Sequence, residues 1–298
     1  MKDYLIRVIT TNKEIRALAV RSTNIVKEAR KAHNTTPVAT AALGRALTGT
    51  LLMGSMIKSG EEVGLVIEGD GPLRRIIVES NQKGQVRGYV SNPQIETNFN
   101  KLGKLDVARA IGIGQLKVIK RKLLKEPYES SVQLISGEIG EDLTYYFTKS
   151  EQTPSSVGLG VLVDRDTSVK AAGGFIIQLL PDAQEKTIEK LERNISNINS
   201  VSRIIEKGAT PEELLEKLLD GFDFRVMARK DVSYNCKCDR KRISALISTF
   251  ERKEIEEIIT NQGKIEVNCH FCNQNYVFNK EEAIKLFEQN FEENGINE

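Results

Sequence analysis

All four cysteines of this chain fall after residue 235, as Cys236-x-Cys238 and, 30 residues further on, Cys269-x-x-Cys272. This arrangement constrains the fold more than any other feature of the sequence. A disulfide scaffold is short, cysteine-dense and secreted. Here the chain runs to 298 residues, and its opening, MKDYLIRVIT, mixes charges with apolar residues where a signal peptide needs an unbroken apolar stretch. Two cysteine pairs brought together by folding supply four thiolates, the number and softness that tetrahedral zinc takes at about 2.3 Å per Zn–S bond. Cys236, Cys238, Cys269 and Cys272 are therefore the expected ligands of one zinc ion. His270, lying between two of these ligands, is expected to point away from the site they share. His33, the only other histidine, has no partner visible in the sequence.

Four cysteines close the metal's coordination shell, which leaves no open position for water and argues against hydrolysis. A purely structural zinc is the simplest reading. Two features keep a redox reading open. Lys237, Arg240, Lys241 and Arg242 lie beside the first pair and favour thiolate character. The Cys-x-Cys pair is also close enough to form a small, strained disulfide once metal is lost. A module this small has little core of its own, so loss of its metal should unfold it.

The remainder reads as α+β. Strands are expected at Tyr4–Ile9 and Ile15–Val20, and a helix near Asn24–Ala32. Thr36-Pro37 opens a helix to about Lys58, with Thr36 as cap and Pro37 at its first position. That helix is apolar nearly all round and carries Gly44, Gly49 and Gly54, so it should be buried with close backbone contacts. Strands follow at Val63–Glu68, Arg74–Glu79, Gln85–Val90, Gln115–Leu123 and Ser131–Ile135. Next come a helix over about Glu138–Ser150 and strands at Val157–Asp164 and Gly173–Leu180.

Three parts are expected: a core domain (1–181), a helical linker (182–231) and a zinc-binding module (232–298). The linker segment holds 11 acidic and 9 basic residues. Ile188, Leu191, Ile195 and Ile198 make one narrow apolar stripe in it, and Leu214, Leu215, Leu218 and Leu219 another. Such stripes must lie on something to be buried, and the pattern fits two further helices of the core domain equally well. The module should hold helices after Asp239 and over Lys253–Asn261. Strands are expected at Lys264–Asn268 and Tyr276–Phe278, and a last helix capped by Asn279 with Glu282.

Charge narrows the function. The chain carries 43 basic and 41 acidic side chains, a net charge of +2, and from Val232 onward 9 basic residues against 12 acidic. A nucleic-acid module gathers positive charge on one face, so neither nucleic acid nor an anionic membrane is an expected partner. Only the cluster from Lys237 to Arg242 favours a zinc-ribbon reading. No apolar run is long enough to span a membrane, and a cytoplasmic location is the default. Two histidines leave little material for a catalytic triad, and Gly69 and Gly71 lack the lysine and hydroxyl residue of a phosphate loop. The chain is not expected to be an enzyme; a thiol oxidoreductase is the enzyme reading closest to hand.

Taken over nearly its whole length, the sequence resembles the 33-kilodalton redox-regulated heat-shock chaperone (33 kDa chaperonin) family. The resemblance rests on the two cysteine pairs and their spacing, with the second reading Cys269-His270-Phe271-Cys272-Asn273 and followed by Tyr276 and Phe278. Upstream it rests on Gly69–Leu73 (GDGPL), Val86–Val90 (VRGYV), Ser150-Glu151-Gln152, Ala172–Pro181 (AGGFIIQLLP) and Tyr234. The resemblance implies a stress-activated holdase that uses no ATP. In the reduced state the four thiolates hold zinc and the chaperone is inactive. Peroxide or hypochlorous acid, often together with unfolding stress, forms the disulfides Cys236–Cys238 and Cys269–Cys272 and releases zinc. The module and linker then unfold, two protomers associate, and unfolding client proteins bind. The stripes Ile188–Ile198 and Leu214–Leu219 are the expected client-binding surface.

Overall fold

Alternating apolar residues on either side of a turn at Lys13 make the chain begin as a hairpin. In the computed structural model, which describes residues 1–122 and 126–293, β1 (Tyr4–Thr10) pairs antiparallel with β2 (Ile15–Arg21). α1 (Thr23–His33) follows, and Asp3 accepts hydrogen bonds from the backbone N–H groups of Asn24 and Ile25 in its first turn. His33 does have a partner: its Nε2 lies 3.1 Å from the Tyr234 hydroxyl, which donates to the Gly88 carbonyl.

α2 (Pro37–Gly54) is buried on almost every side, as its apolar sequence requires. Pro37 starts it, but the Thr36 hydroxyl donates to the Pro93 carbonyl and does not cap. A Cβ added at Gly44 would stand 2.8 Å from a Val26 methyl and 2.9 Å from one of Val161, so glycine is what lets the flanking elements close on this helix.

The chain continues through β3 (Glu62–Gly69), β4 (Arg75–Asn81), β5 (Gln85–Val90), α3 (Val107–Ile111), β6 (Gly114–Arg121) and β7 (Tyr128–Gln133). α4 (Gly140–Lys149), β8 (Ser155–Val163) and β9 (Val169–Leu179) come next. The strand expected to reach Leu123 ends at Arg121, and Leu123 itself lies outside the described residues. α3 is an addition to the expected elements.

Beyond Pro181, α5 (Glu185–Ser196), α6 (Val201–Glu206) and α7 (Pro211–Leu218) are helical as expected, but the segment does not stay helical. Its last eight residues form β10 (Phe224–Asp231), which pairs with β1 from Tyr4↔Asp231 to Thr10↔Phe224. A short β11 (Ser233–Tyr234) then runs parallel to β5. The alternation of β10 is hidden in the sequence because a register shift at Arg7/Val8 interrupts the ladder and the strand's edge leaves Val226 and Met227 exposed.

The first compact unit, Met1–Asn235, thus holds two sheets. One has the order β10-β1-β2-β9-β8, the other β11-β5-β4-β3-β6-β7. α2 touches strands of both, and one apolar core joins it to α1 and to the faces turned towards it. On the other face of the five-stranded sheet, Tyr4, Ile6, Val8, Ala17 and Phe175 pack under Leu191, Leu214, Leu215 and Leu218. The α7 stripe is therefore buried, while the α5 stripe is buried at Leu191 and half-buried at Ile188, Ile195 and Ile198. Polar ties reinforce them: Tyr4 donates to Glu212 at 2.5 Å, the Arg229 guanidinium lies 4.1 Å above the Tyr4 ring, and Thr187 donates to buried Glu14.

The second unit, Cys236–Glu298, contains α8 (Arg240–Ile247), α9 (Arg252–Gln262), β12 (Lys264–Asn268), β13 (Asn275–Asn279) and α10 (Lys280–Glu293). Asp239 caps α8 by accepting from the Arg242 N–H at 2.7 Å. Asn279 and Glu282 form the expected reciprocal cap of α10, at 2.9 and 3.0 Å. Ile243, Ile247, Ile255, Ile259, Ile265, Tyr276, Phe278 and Ala283 make its small core.

One buried carboxylate fixes the turn into α4. Asp142, fully buried, accepts from the N–H groups of Ile135, Ser136, Gly137 and Ile139, and Ile139 takes a left-handed φ of 62°. Asp142→Ala strands these donors in the interior. It is expected to lower the unfolding free energy by about 3 kcal/mol in a urea titration followed by circular dichroism.

Candidate metal centre

The second cysteine pair sits in the connection between β12 and β13. Asn268 and Asn275 close the ladder, and the chain between them turns tightly. The Cys269 N–H donates to Gln274 O, while the N–H groups of Cys272 and Asn273 donate back to Cys269 O at 3.2 and 2.7 Å. Asn273 supplies the left-handed residue this turn needs, with φ 58°. The first pair lies in extended chain just before the Asp239 cap of α8.

The fold brings all four predicted residues together. Their Sγ atoms lie within 4.8 Å of one another, with Cys236–Cys269 at 3.6 Å and Cys238–Cys272 at 3.2 Å. Each cysteine is half-buried, and Cys238 and Cys269 pack against the small core of the unit. His270 is exposed and stands outside the cluster, as expected of a bystander.

The electrostatics of the bare cluster are those of a site made for a cation. Burial resists ionisation of Cys238, but hydrogen bonds from the Tyr276 hydroxyl and the neighbouring thiols outweigh it and hold this thiol below its usual range. Burial, together with hydrogen bonds to Cys238 and the other thiols of the cluster, pushes Cys269 and Cys272 up. A thiolate at Cys238 thus disfavours ionisation of Cys269 and Cys272 unless a positive ion is shared among them. Four soft sulfur donors at mutual contact, with no histidine or carboxylate in the cluster among the described residues, fit a metal with tetrahedral preference.

Two features of the site were not legible in the sequence. Tyr276 reads there as a strand residue, yet its hydroxyl donates to Cys238 Sγ at 3.3 Å while its ring is buried. Alternation in β13 does put Tyr276 and Phe278 on one buried face; it carries no sign of what the hydroxyl meets. Arg240, expected to support the thiolates, is turned elsewhere. Its guanidinium donates to Val277 O at 3.0 Å and Glu282 at 2.8 Å and lies 4.2 Å from the Phe278 ring centre. The basic cluster is thereby partly consumed in holding α10 to β13.

Removing metal from the reduced protein with a chelator is expected to erase hydrogen-exchange protection across β12, β13 and α8. The amides of α2, embedded in the larger unit, should keep theirs. Equal loss in both units, or in neither, would show that the module does not depend on metal for its fold.

Comparison with known proteins gives the same assignment throughout. The family model described as Hsp33 protein matches residues 3–279. The chain is 48% identical over 287 residues to the 33 kDa chaperonin of Geobacillus sp. (strain WCH70), covering 96% of this chain and 97% of that protein. It is 44% identical over 288 residues to that of Bacillus subtilis (strain 168), covering 96% and 99%. The crystal structure of the 33 kDa chaperonin from Thermotoga maritima superposes with a TM-score of 0.91 at 38% identity, over 98% of this chain and 100% of that one. With its α+β architecture and its four clustered cysteines, the chain belongs to the Hsp33 family of chaperones.

Proposed function

We propose that this protein is a redox-regulated, ATP-independent holdase of the cytoplasm, inactive when reduced and activated by oxidation. Cys236, Cys238, Cys269 and Cys272 hold one zinc ion in the reduced state. Zinc supplies the charge that keeps four thiolates together and a crosslink worth on the order of 10 kcal/mol, which a unit with so small a core needs. The observation that carries this reading is the convergence of the four Sγ atoms within 4.8 Å in such a unit, in a member of a chaperone family.

Oxidation removes two electrons from each pair. One thiolate attacks a peroxide oxygen, hydroxide leaves and a sulfenic acid forms. The second thiolate then displaces hydroxide from that sulfur and the S–S bond closes. We assign the disulfides to Cys236–Cys238 and Cys269–Cys272. Partners two and three residues apart stay close as the module loosens, whereas pairs between the two segments separate. Each bond consumes two ligands, so the metal is released and the module opens.

The segment 182–231 is the second element of the proposal. Its helices have 12, 6 and 8 residues, lengths that are marginal in water without a surface to lie on. Tyr234, bonded to His33 and Gly88, stands two residues before Cys236, so unfolding of the module pulls on the end of this segment. Its release uncovers one face of the five-stranded sheet together with the stripes Ile188–Ile198 and Leu214–Leu219. These surfaces bind unfolding or oxidatively damaged clients, and two protomers associate in the active form.

Light scattering from an aggregating client tests the switch. Peroxide-treated protein under mild heat is expected to suppress aggregation, and reduced, zinc-loaded protein to leave it unchanged. Equal suppression by both forms would make the metal merely structural, and suppression by neither would end the holdase reading. Ile188→Ser, Ile195→Ser and Ile198→Ser together alter the half-buried stripe of α5 and its extension. The oxidised triple variant is expected to lose most of its suppression; full retained activity would move client binding elsewhere.

A further inference from the structure

Arg16, Arg7 and Lys230 form a diagonal row across β2, β1 and β10, on the sheet face turned away from α5–α7. The register fixes this placement. Arg7 stands opposite Leu18 on one side and Ala228 on the other, so Arg16 and Lys230 are its diagonal neighbours on the same face. All three are half-buried, and among the described residues none of them pairs with a carboxylate. Lys230 donates to the Gln82 carbonyl. Arg16 donates to neutral Gln178 at 2.5 Å, and its Nε is buried with no partner. Arg21, Arg30 and Arg45 also bury an unpartnered Nε; Arg21 and Arg45 have Asp3 and Glu138 as counter-charges, and Arg30, which donates to the Thr167 hydroxyl, does not line the cavity onto which Arg16 opens. Burial and the charge of Arg7 both weigh against the protonated form of Arg16.

Arg16 opens onto a cavity of about 150 Å³ between the two sheets, at the C-terminal end of α2. Met53, Met56, Ile57 and Phe147 give it an apolar wall. Lys120, on the far side, is matched by Glu151 at 2.6 Å, so the unmatched charge in the cavity belongs to Arg16. The last carbonyls of α2 do not supply the missing acceptor: those of Leu51, Leu52 and Met53 accept from the backbone N–H groups of Ser55 and Met56.

We propose that this cleft binds a small organic monocarboxylate, with the carboxylate on Arg16 and an apolar body of about the size of a benzene ring against Met53, Met56 and Phe147. The guanidinium is a planar fork that matches a carboxylate with two parallel hydrogen bonds. Arg7 and Lys230 add positive potential that draws an anion to the cleft. The volume is that of a cavity known to accept benzene, so the apolar body has room without displacing the sheets. The site is independent of the cysteine cluster and of the holdase reading.

Isothermal titration of the full-length reduced protein with benzoate, benzamide, acetate and inorganic phosphate tests the assignment. Benzoate is expected to bind saturably at one per chain. Benzamide has the ring without the charge, acetate the charge without the ring, and phosphate an oxyanion with no apolar body; each should bind at least tenfold more weakly. Arg16→Gln should weaken benzoate at least tenfold. If that variant does not fold, Met56→Trp, which fills the cavity and keeps Arg16, is expected to abolish benzoate binding with an unchanged circular dichroism spectrum. No benzoate binding by the unaltered protein, equal binding of benzamide or phosphate, or retained binding in folded Met56→Trp would overturn the proposal.

Discussion

A five-stranded sheet that is apolar on both faces must be covered on both, and the first unit is organised around that need. One face carries Leu5, Leu18, Val20 and Ile176 and packs towards α2, a long helix buried almost all round. The other carries Ile6, Val8, Ile15, Ala17 and Ile177 and is covered by three short helices drawn from a highly charged segment. The two covers differ in kind. α2 is locked between two sheets, whereas α5, α6 and α7 lie over one sheet and expose their charged sides to water. Burying leucines under this second cover gains roughly 2 kcal/mol for each side chain, which holds it without making it permanent. That asymmetry is the physical basis of the client-binding role proposed for this layer.

The second unit is governed by a different imbalance. Its core consists of a few isoleucines and two aromatic residues, too little to fix five elements without a crosslink. The cysteines fill that gap, and their chemistry makes the fold conditional. Bare, the cluster favours a thiolate at Cys238 and resists one at Cys269 and Cys272, an imbalance that a shared cation would relieve. Tyr276 couples the two parts of the unit, since its ring belongs to the core and its hydroxyl reaches Cys238. Core packing and sulfur chemistry therefore meet in one residue of this unit.

Several elements were readable because one face of each is dry and the other wet. β1, β2, β12 and both caps of the second unit follow from local alternation and from Asp or Asn at a helix start. β10 was not readable. It is an edge strand with an irregular register, so its outward side shows Val226 and Met227 to solvent and its pattern resembles the charged helices before it. Thr36 was expected to cap α2 and instead serves the Pro93 carbonyl, because a strand-to-loop segment 57 residues away arrives within reach of its hydroxyl. Arg240 was expected beside the thiolates and was drawn off by Glu282 and Phe278 for the same reason.

The sequence by itself marked the four cysteines that cluster, the α+β class and the family, because four cysteines in two tight pairs and runs of alternating residues are local features that survive in one dimension. Tertiary structure alone decided where long-range partners meet. It set the Sγ atoms within one cluster, put the Tyr276 hydroxyl on Cys238 and laid the stripes of α5 and α7 against the five-stranded sheet. It also lined up Arg16 and Arg7 with Lys230, which follows them by more than 200 positions, on one face without a counter-charge among the described residues. Such contacts depend on strand register and on the closing of loops between distant segments, and no short stretch of sequence encodes either.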